Sequence, residues 1–158
     1  ITAPDGELMG AQYKSVDFVL NKPDDMEKSI TLFGLYQAVQ SGAQQVAIVE
    51  SPLDVVRMAV AKVPAVASFG VYVSEDQVKL LNRNFRLVVR ALDNDVAGHK
   101  ADPILESMLH RRGCPSLRFD YRGLVNSDGD PAKDPGDVED NETLADAWRR
   151  SLQVVRLR

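Results

Sequence analysis

The sequence predicts an α/β fold with a central parallel sheet flanked by helices, preceded by a short antiparallel β segment. Two short apolar runs, Val46-Ala47-Ile48-Val49 and Leu87-Val88-Val89-Arg90-Ala91-Leu92, have the β-branched content and length of buried strands. Helical patterns follow each of them, which is the order that parallel pairing requires. Each run also ends on acid: Glu50 closes the first, and Asp93-Asn94-Asp95 closes the second.

Residues 1–20 read as one or two short antiparallel strands around the turn Pro4-Asp5-Gly6, followed by a polar loop over 21–27. From Ile30 to Ser41, Leu32, Leu35, Tyr36 and Val39 fall at helical spacing, and Gly42 stops the pattern. Ser51-Pro52 starts the helix after the first strand, with Ser51 able to cap and Pro52 at the first helical position, and that helix is expected to run to about Lys62. A strand over Ala65 to Ser68 ends before the chain breaks at Gly70, and Ser74 with Gln77 forms a capping-box pattern opening a helix to about Arg83. After the strand ending at Asp93, a helix is expected over 97–110, a strand near 117–121, a polar loop over 126–141, and an amphipathic helix over 143–152 carrying Trp148 for docking. The divisions are residues 1–29 as a β segment and basic loop, 30–122 as the core, and 123–158 as an acidic loop with a last helix.

At 158 residues with 44% hydrophobic content the chain is sized for one core. A net charge of −4 argues against a general electrostatic nucleic-acid binder, but the charge is unevenly spread. From Lys79 to Arg122 nine Lys and Arg face five acids, whereas from Gly123 to Trp148 a single Lys stands among eight acids. A polyanion would approach the first stretch. The lone Cys114 excludes an internal disulfide and a cysteine zinc site, and reads as a reduced, half-buried thiol. No apolar stretch reaches membrane-spanning length and no signal peptide is visible, so a cytoplasmic protein without membrane contact is expected. The chain opens on Ile1 directly into a strand-like pattern, as a piece of a longer protein would.

Parallel sheets bind ligands at the carboxyl ends of their strands, where Glu50, Asp93 and Asp95 sit. In an extended chain Asp93 and Asp95 point the same way and Asn94 points away, which places two carboxylates on one face. Close anions repel until a cation joins them. Hard oxygen ligands suit Mg²⁺ or Mn²⁺, and Mg²⁺ commonly shares itself between one or two carboxylates, waters and substrate phosphates. A phosphate-bearing substrate is therefore expected. An EF-hand begun at Asp93 is excluded by Ala97 at its fifth position and Ile104 at its twelfth. A phosphatase using Asp93 as nucleophile fits the pair, but it leaves Glu50 and its flanking residues unexplained.

Several segments together resemble the Toprim domain of DnaG-type bacterial and phage primases. Val49-Glu50-Ser51-Pro52-Leu53-Asp54-Val55-Val56 is similar to the motif in which a strand-end Glu is followed four residues later by Asp. Ala65 to Gly70 resembles the next strand and its glycine, and Asp93-Asn94-Asp95-Val96-Ala97-Gly98-His99-Lys100-Ala101 matches the form D-x-D-x-A-G-x-x-A. Upstream, Gly10 to Lys14, Val19-Leu20-Asn21 with Pro23, and Lys28 followed by Leu32-Phe33-Gly34-Leu35 resemble the lead-in to that fold, and Lys133-Asp134-Pro135 resembles its third acidic motif. The likeness spans roughly residues 1–138. Two positions depart from the pattern: Gly136 stands where a second acid is usual, with Asp137 displaced by one, and Ile30 replaces a basic residue.

The resemblance implies a Rossmann-like Toprim fold that makes RNA primers on a single-stranded DNA template from ribonucleoside triphosphates, by metal-dependent nucleotidyl transfer. It implies Glu50, Asp93 and Asp95 as catalytic residues, and Glu50, Asp54, Asp93, Asp95 and Asp134 as ligands of Mg²⁺ or Mn²⁺, Glu50 serving either as a ligand or as a proton-transfer group. It implies Lys14, Asn21, Lys28, Gly98, His99 and Lys100 as contacts to nucleic acid or nucleotide. Beside these roles stand plainer ones: Asp54 complementing a helix N-terminus, the cations as solvated surface, Arg111-Arg112 as a helix C-terminus, and Asp128, Asp130, Glu139 and Asp140 as a solvated loop. A zinc module and a region contacting the replicative helicase would lie elsewhere in such an enzyme. The alternatives are a Toprim nuclease cleaving DNA or RNA and a non-catalytic module that binds nucleic acid; topoisomerase activity would need a tyrosine nucleophile on further domains.

Overall fold

A computed structural model of the chain describes residues 1–2, 5–14, 19–22 and 27–153, with the backbone alone at residues 13, 14 and 19–22. Two strands, β1 (Ala11–Lys14) and β2 (Val19–Lys22), pair antiparallel with Ala11 opposite Lys22. The expected loop from Asn21 therefore starts at least two residues later. The bridge between Thr2 and Leu8 agrees with the expected first turn, although Pro4 lies outside the described residues.

The main sheet contains β3 (Gln45–Val49), β4 (Ala65–Ala67), β5 (Leu87–Arg90) and β6 (Ser116–Arg118), all parallel in the order β4-β3-β5-β6. Its helices are α1 (Leu35–Gln40), α2 (Pro52–Val60), α3 (Glu75–Asn84), α4 (Val96–Arg111) and α5 (Asn141–Gln153). The alternation along β3 shows why both faces must be covered. Val46 and Ile48 join a core with Leu35, Leu81 and Leu105 from α1, α3 and α4. Ala47 and Val49 join the opposite core with Met58 and Leu144 from α2 and α5. Trp148 packs against that second core, so its docking surface belongs to the chain itself. Cys114 is buried rather than half-exposed.

The helix expected from Ile30 begins only at Leu35. Residues 28–30 make one 3-10 turn, and Phe33 exchanges both backbone hydrogen bonds with Ala67 at 3.0 Å, extending the edge of β4. Gly34 then turns the chain at φ +80°, where a Cβ would stand 2.9 Å from Val55 and 3.1 Å from the Ala65 carbonyl. Leu32 is buried because it lies on this strand-like stretch, and its helical spacing to Leu35 is incidental. Elsewhere the local signals hold. Ser51 with Asp54 and Ser74 with Gln77 both form capping boxes. Among the described residues no helix is long and apolar enough to cross a membrane.

After β3 the chain moves outward to β4, then crosses back to β5 on the other side of β3. The strand order thus reverses between β3 and β5, and a crevice opens beyond their carboxyl ends. Glu50 and Asp93 flank it.

Candidate metal and phosphate site

Glu50 follows the last residue of β3, and its Oε1 accepts a hydrogen bond from the Asp93 N–H at 3.0 Å. Asp95 caps α4: its Oδ1 accepts from the N–H groups of Ala97 and Gly98, both at 2.9 Å. These donors hold the Asp95 carboxyl below its ordinary range, the Gly98 N–H contributing most. Burial raises the proton affinity of Glu50 and Asp93, partly opposed in Glu50 by the Asp93 N–H and in Asp93 by Lys133.

Asp54 occupies the first turn of α2, 4% exposed, and accepts from the Ser51 N–H at 3.3 Å. The capping role and the position at the crevice hold together. Burial, followed by the charges of Asp134 and Asp93, pushes its carboxyl up to about 7. Asp134 begins the 3-10 turn Pro135–Asp137 and accepts from the Asp137 N–H at 3.0 Å. Gly136 lies against both acids: a Cβ there would stand 2.8 Å from Asp54 Oδ1 and 2.9 Å from Asp134 Oδ1. Asp137, the displaced acid of the third motif, accepts from the Lys133 N–H at 2.8 Å and so fixes the loop's own backbone.

Lys133 is the residue that links this loop to the strand ends. Its carbonyl accepts from the Asn94 N–H at 2.6 Å, and its ammonium lies 3.3 Å from Asp93 Oδ2 and 3.4 Å from Asp95 Oδ2. The carboxylates on either side of Asn94 therefore converge on one positive charge, as their alternation in the sequence predicts. That ammonium stands in for a cation at the pair, and the hard oxygen donors around it fit Mg²⁺ or Mn²⁺. Among the described residues, no three His, Cys, Asp or Glu side chains converge as a ready-made metal group. The Asp93 and Asp95 carboxylates are brought together around Lys133; among the described residues a wider set is not.

Glu50, Asp54, Asp93 and Asp134 line an open cleft of about 740 Å³, together with Lys28 and Phe69. Lys28 is brought there by Gln77, whose buried amide donates to the carbonyls of Lys28 and Thr31, each at 2.9 Å, and of Ser68 at 3.0 Å. Phe69 has φ +67°, a left-handed conformation uncommon for a bulky residue. It is held there by bonds from the N–H groups of Ser68 to Val49 and of Gly70 to Glu50, at 3.1 and 3.0 Å.

Other expected contacts lie elsewhere. Gly98 is buried, and a Cβ on it would meet the Asp93 carbonyl oxygen at 2.0 Å, so its close approach is to the chain's own backbone. His99 is exposed, 2.9 Å from Asn94 Oδ1, and lines a separate hollow with Arg118, Arg122 and Arg150. Lys100, also exposed, lines another beside Tyr72 and Asp95. The side chains of Lys14 and Asn21, and Pro23 entirely, lie outside the described residues.

Three contributors escaped the sequence reading. Lys133 had a signal, as the one cation among eight acids between Gly123 and Trp148. Arg57 had none: it reaches 81 residues along the chain to the Val138 carbonyl at 2.6 Å, and also binds Asn141 and the Glu139 carbonyl, tying the Asp134 loop to α2. Tyr121 donates its hydroxyl to the Ala91 carbonyl at 3.2 Å, and burial followed by the nearby acids raises its proton affinity strongly.

A parallel sheet carrying strand-end acids at its reversal point, with a further acid, Asp134, delivered by a later loop, defines a Toprim-like site. Residues 47–134 match the Toprim-like family model, and the chain belongs to that family. It is similar to the DNA primase of Haemophilus influenzae, 38% identical over 87 residues covering 52% of this chain and 15% of that protein. It is also similar to the DNA primase of Pseudomonas aeruginosa, 30% identical over 149 residues, or 85% of this chain and 22% of the relative. Among solved structures, a DnaG primase catalytic domain bound to single-stranded DNA superposes with a TM-score of 0.75 at 25% identity, covering 96% of this chain and 50% of that one. The zinc-binding and RNA polymerase domains of the Aquifex aeolicus primase superpose with a TM-score of 0.74 at 25% identity, covering 98% and 38%. The chain thus spans a minor part of the curated relatives it matches and about half of the solved catalytic domain. The expected Toprim fold and the likeness to DnaG-type primases both hold.

Proposed function

We propose that this chain is the metal-binding half of a DnaG-like primase core, joining ribonucleotides on a single-stranded DNA template in the cytoplasm. The observation that carries the proposal is the convergence of Asp93 and Asp95 on one positive charge at the sheet's reversal point. Asp93 and Asp95 would hold Mg²⁺ or Mn²⁺, with Glu50, Asp54 and Asp134 lining the cleft beside Asp93. A bound divalent ion there neutralises phosphate charge and aligns phosphate oxygens.

This chain's residues account for the rest. Glu50 has one oxygen engaged by Asp93, and its raised proton affinity suits it to take a proton from an attacking ribose hydroxyl. Lys28, at the mouth of the cleft, supplies a sequence-blind phosphate contact. The template assignment is supported by the single-stranded DNA in the similar catalytic domain.

The test supplies Mn²⁺, ribonucleotides and a labelled primed single-stranded template to the wild-type chain, Asp93→Ala/Asp95→Ala and Glu50→Gln, and resolves products by length. Metal-dependent extension that vanishes in the variants supports nucleotidyl transfer. Shortening of the label would move the assignment to nuclease, and binding without either product would make the chain a nucleic-acid-binding module.

A further inference from the structure

Lys133 combines three features that a solvated lysine lacks. Its backbone is fixed at both ends, by Asp137 on its N–H and by Asn94 on its carbonyl. Its ammonium straddles Asn94 to reach both Asp93 and Asp95. It is also 54% exposed, so the ion pairs are well hydrated and readily exchanged. A cation held at the pair by the protein itself occupies charge that a divalent ion would otherwise take.

Resting on the function proposed above, we infer that Lys133 is a tethered counter-ion: it competes with the divalent cation for Asp93 and Asp95, and once displaced it contacts the triphosphate. With its backbone pinned, the freed ammonium stays within one side-chain length of the acids, where phosphates sharing the metal must lie. Like-charge repulsion from the incoming ion drives it off the carboxylates, and the phosphates offer it new anionic partners. The site is thereby kept electrically compensated before loading, and the same charge is reused afterwards.

The experiment measures Mn²⁺ binding by calorimetry and by the electron paramagnetic resonance of free Mn²⁺. It uses the 158-residue chain, Lys133→Met, Lys133→Arg, Asp93→Ala/Asp95→Ala, and Lys79→Met as a control for a distant lost charge. ATP binding is then measured at saturating Mn²⁺, with thermal melting confirming that each variant is folded. Lys133→Met should bind Mn²⁺ up to about thirtyfold more tightly, as expected for removing one unit charge about 4 Å from a divalent ion in a hydrated setting. Lys133→Arg and Lys79→Met should stay near wild type, and Lys133→Met should bind ATP several-fold more weakly. Unchanged or weaker Mn²⁺ binding by Lys133→Met, with wild-type binding that depends on Asp93 and Asp95, overturns the competition alone. Unchanged ATP binding overturns the phosphate contact. Wild-type chain with no binding that depends on those acids overturns the metal site as well.

Discussion

Glu50 Oε1 and the Asp93 N–H, 43 residues apart in sequence, are joined at 3.0 Å and tie the carboxyl end of β3 to that of β5. The carboxylate is therefore an acceptor for the backbone as well as a charge in the cleft. Glu50→Gln keeps an oxygen acceptor and should melt within a few degrees of wild type. Glu50→Ala leaves the Asp93 N–H without its partner and should cost about 1–3 kcal/mol. Both should lose extension activity, so denaturant melts beside the length-resolved assay separate the two roles.

Gly98→Ala should be severe despite its small size. The added methyl would meet the Asp93 carbonyl oxygen at 2.0 Å, and backbone cannot step aside as a flexible side chain can. The first turn of α4 must shift, loosening the Asp95 cap, at a cost of about 1–3 kcal/mol. Calorimetry should show Mn²⁺ affinity falling as well; wild-type affinity in a folded variant would contradict this.

Asp54 makes stability depend on pH in a defined direction. Its carboxyl titrates near 7 in the folded chain, whereas in the unfolded chain it ionises near the ordinary 3.8. Between those values the folded state binds the extra proton, so this group's contribution is fully present below about pH 4 and is lost as pH rises through about 7. Metal-free Asp54→Asn should therefore match wild type near pH 4, begin to exceed it above that, and melt higher by several degrees at pH 8. Thermal melts across that range check it, and an equal decline in both proteins would contradict it.

Arg57→Met should free the loop carrying Asp134. The guanidinium binds the carbonyls of Val138 and Glu139 and the Asn141 amide oxygen, at 2.6 to 2.7 Å, and a charged hydrogen bond of this kind contributes about 1.5–3 kcal/mol when well formed. With Arg57 only half-buried, a total near the low end of that range is expected. Hydrogen exchange over residues 133–141 should quicken while β3 and β5 stay protected.

The parts of this site that were legible in the sequence are the local ones. Glu50, Asp93 and Asp95 stand out because strand ends are marked by composition, and Ser51-Pro52 and Ser74 with Gln77 because a cap is written within four residues. What escaped depends on distant partners. The helix expected at Ile30 yields to pairing between Phe33 and Ala67, and the close approach expected of Gly98 is made to the Asp93 carbonyl. Arg57 and Lys133 act through contacts 81 and about forty residues away, which spacing within a motif does not reveal.

The hydrogen bond from the Asn94 N–H to the Lys133 carbonyl gives the site an order of assembly. As a growing chain leaves a ribosome, Glu50, Asp54, Asp93 and Asp95 are all available once β5 and the start of α4 have emerged. Lys133 and Asp134 arrive only some forty residues later. A nascent chain paused between these points would carry Asp93 and Asp95 without Lys133 beside them. In that interval a divalent ion from solution would meet the acids unopposed, before their own counter-charge exists.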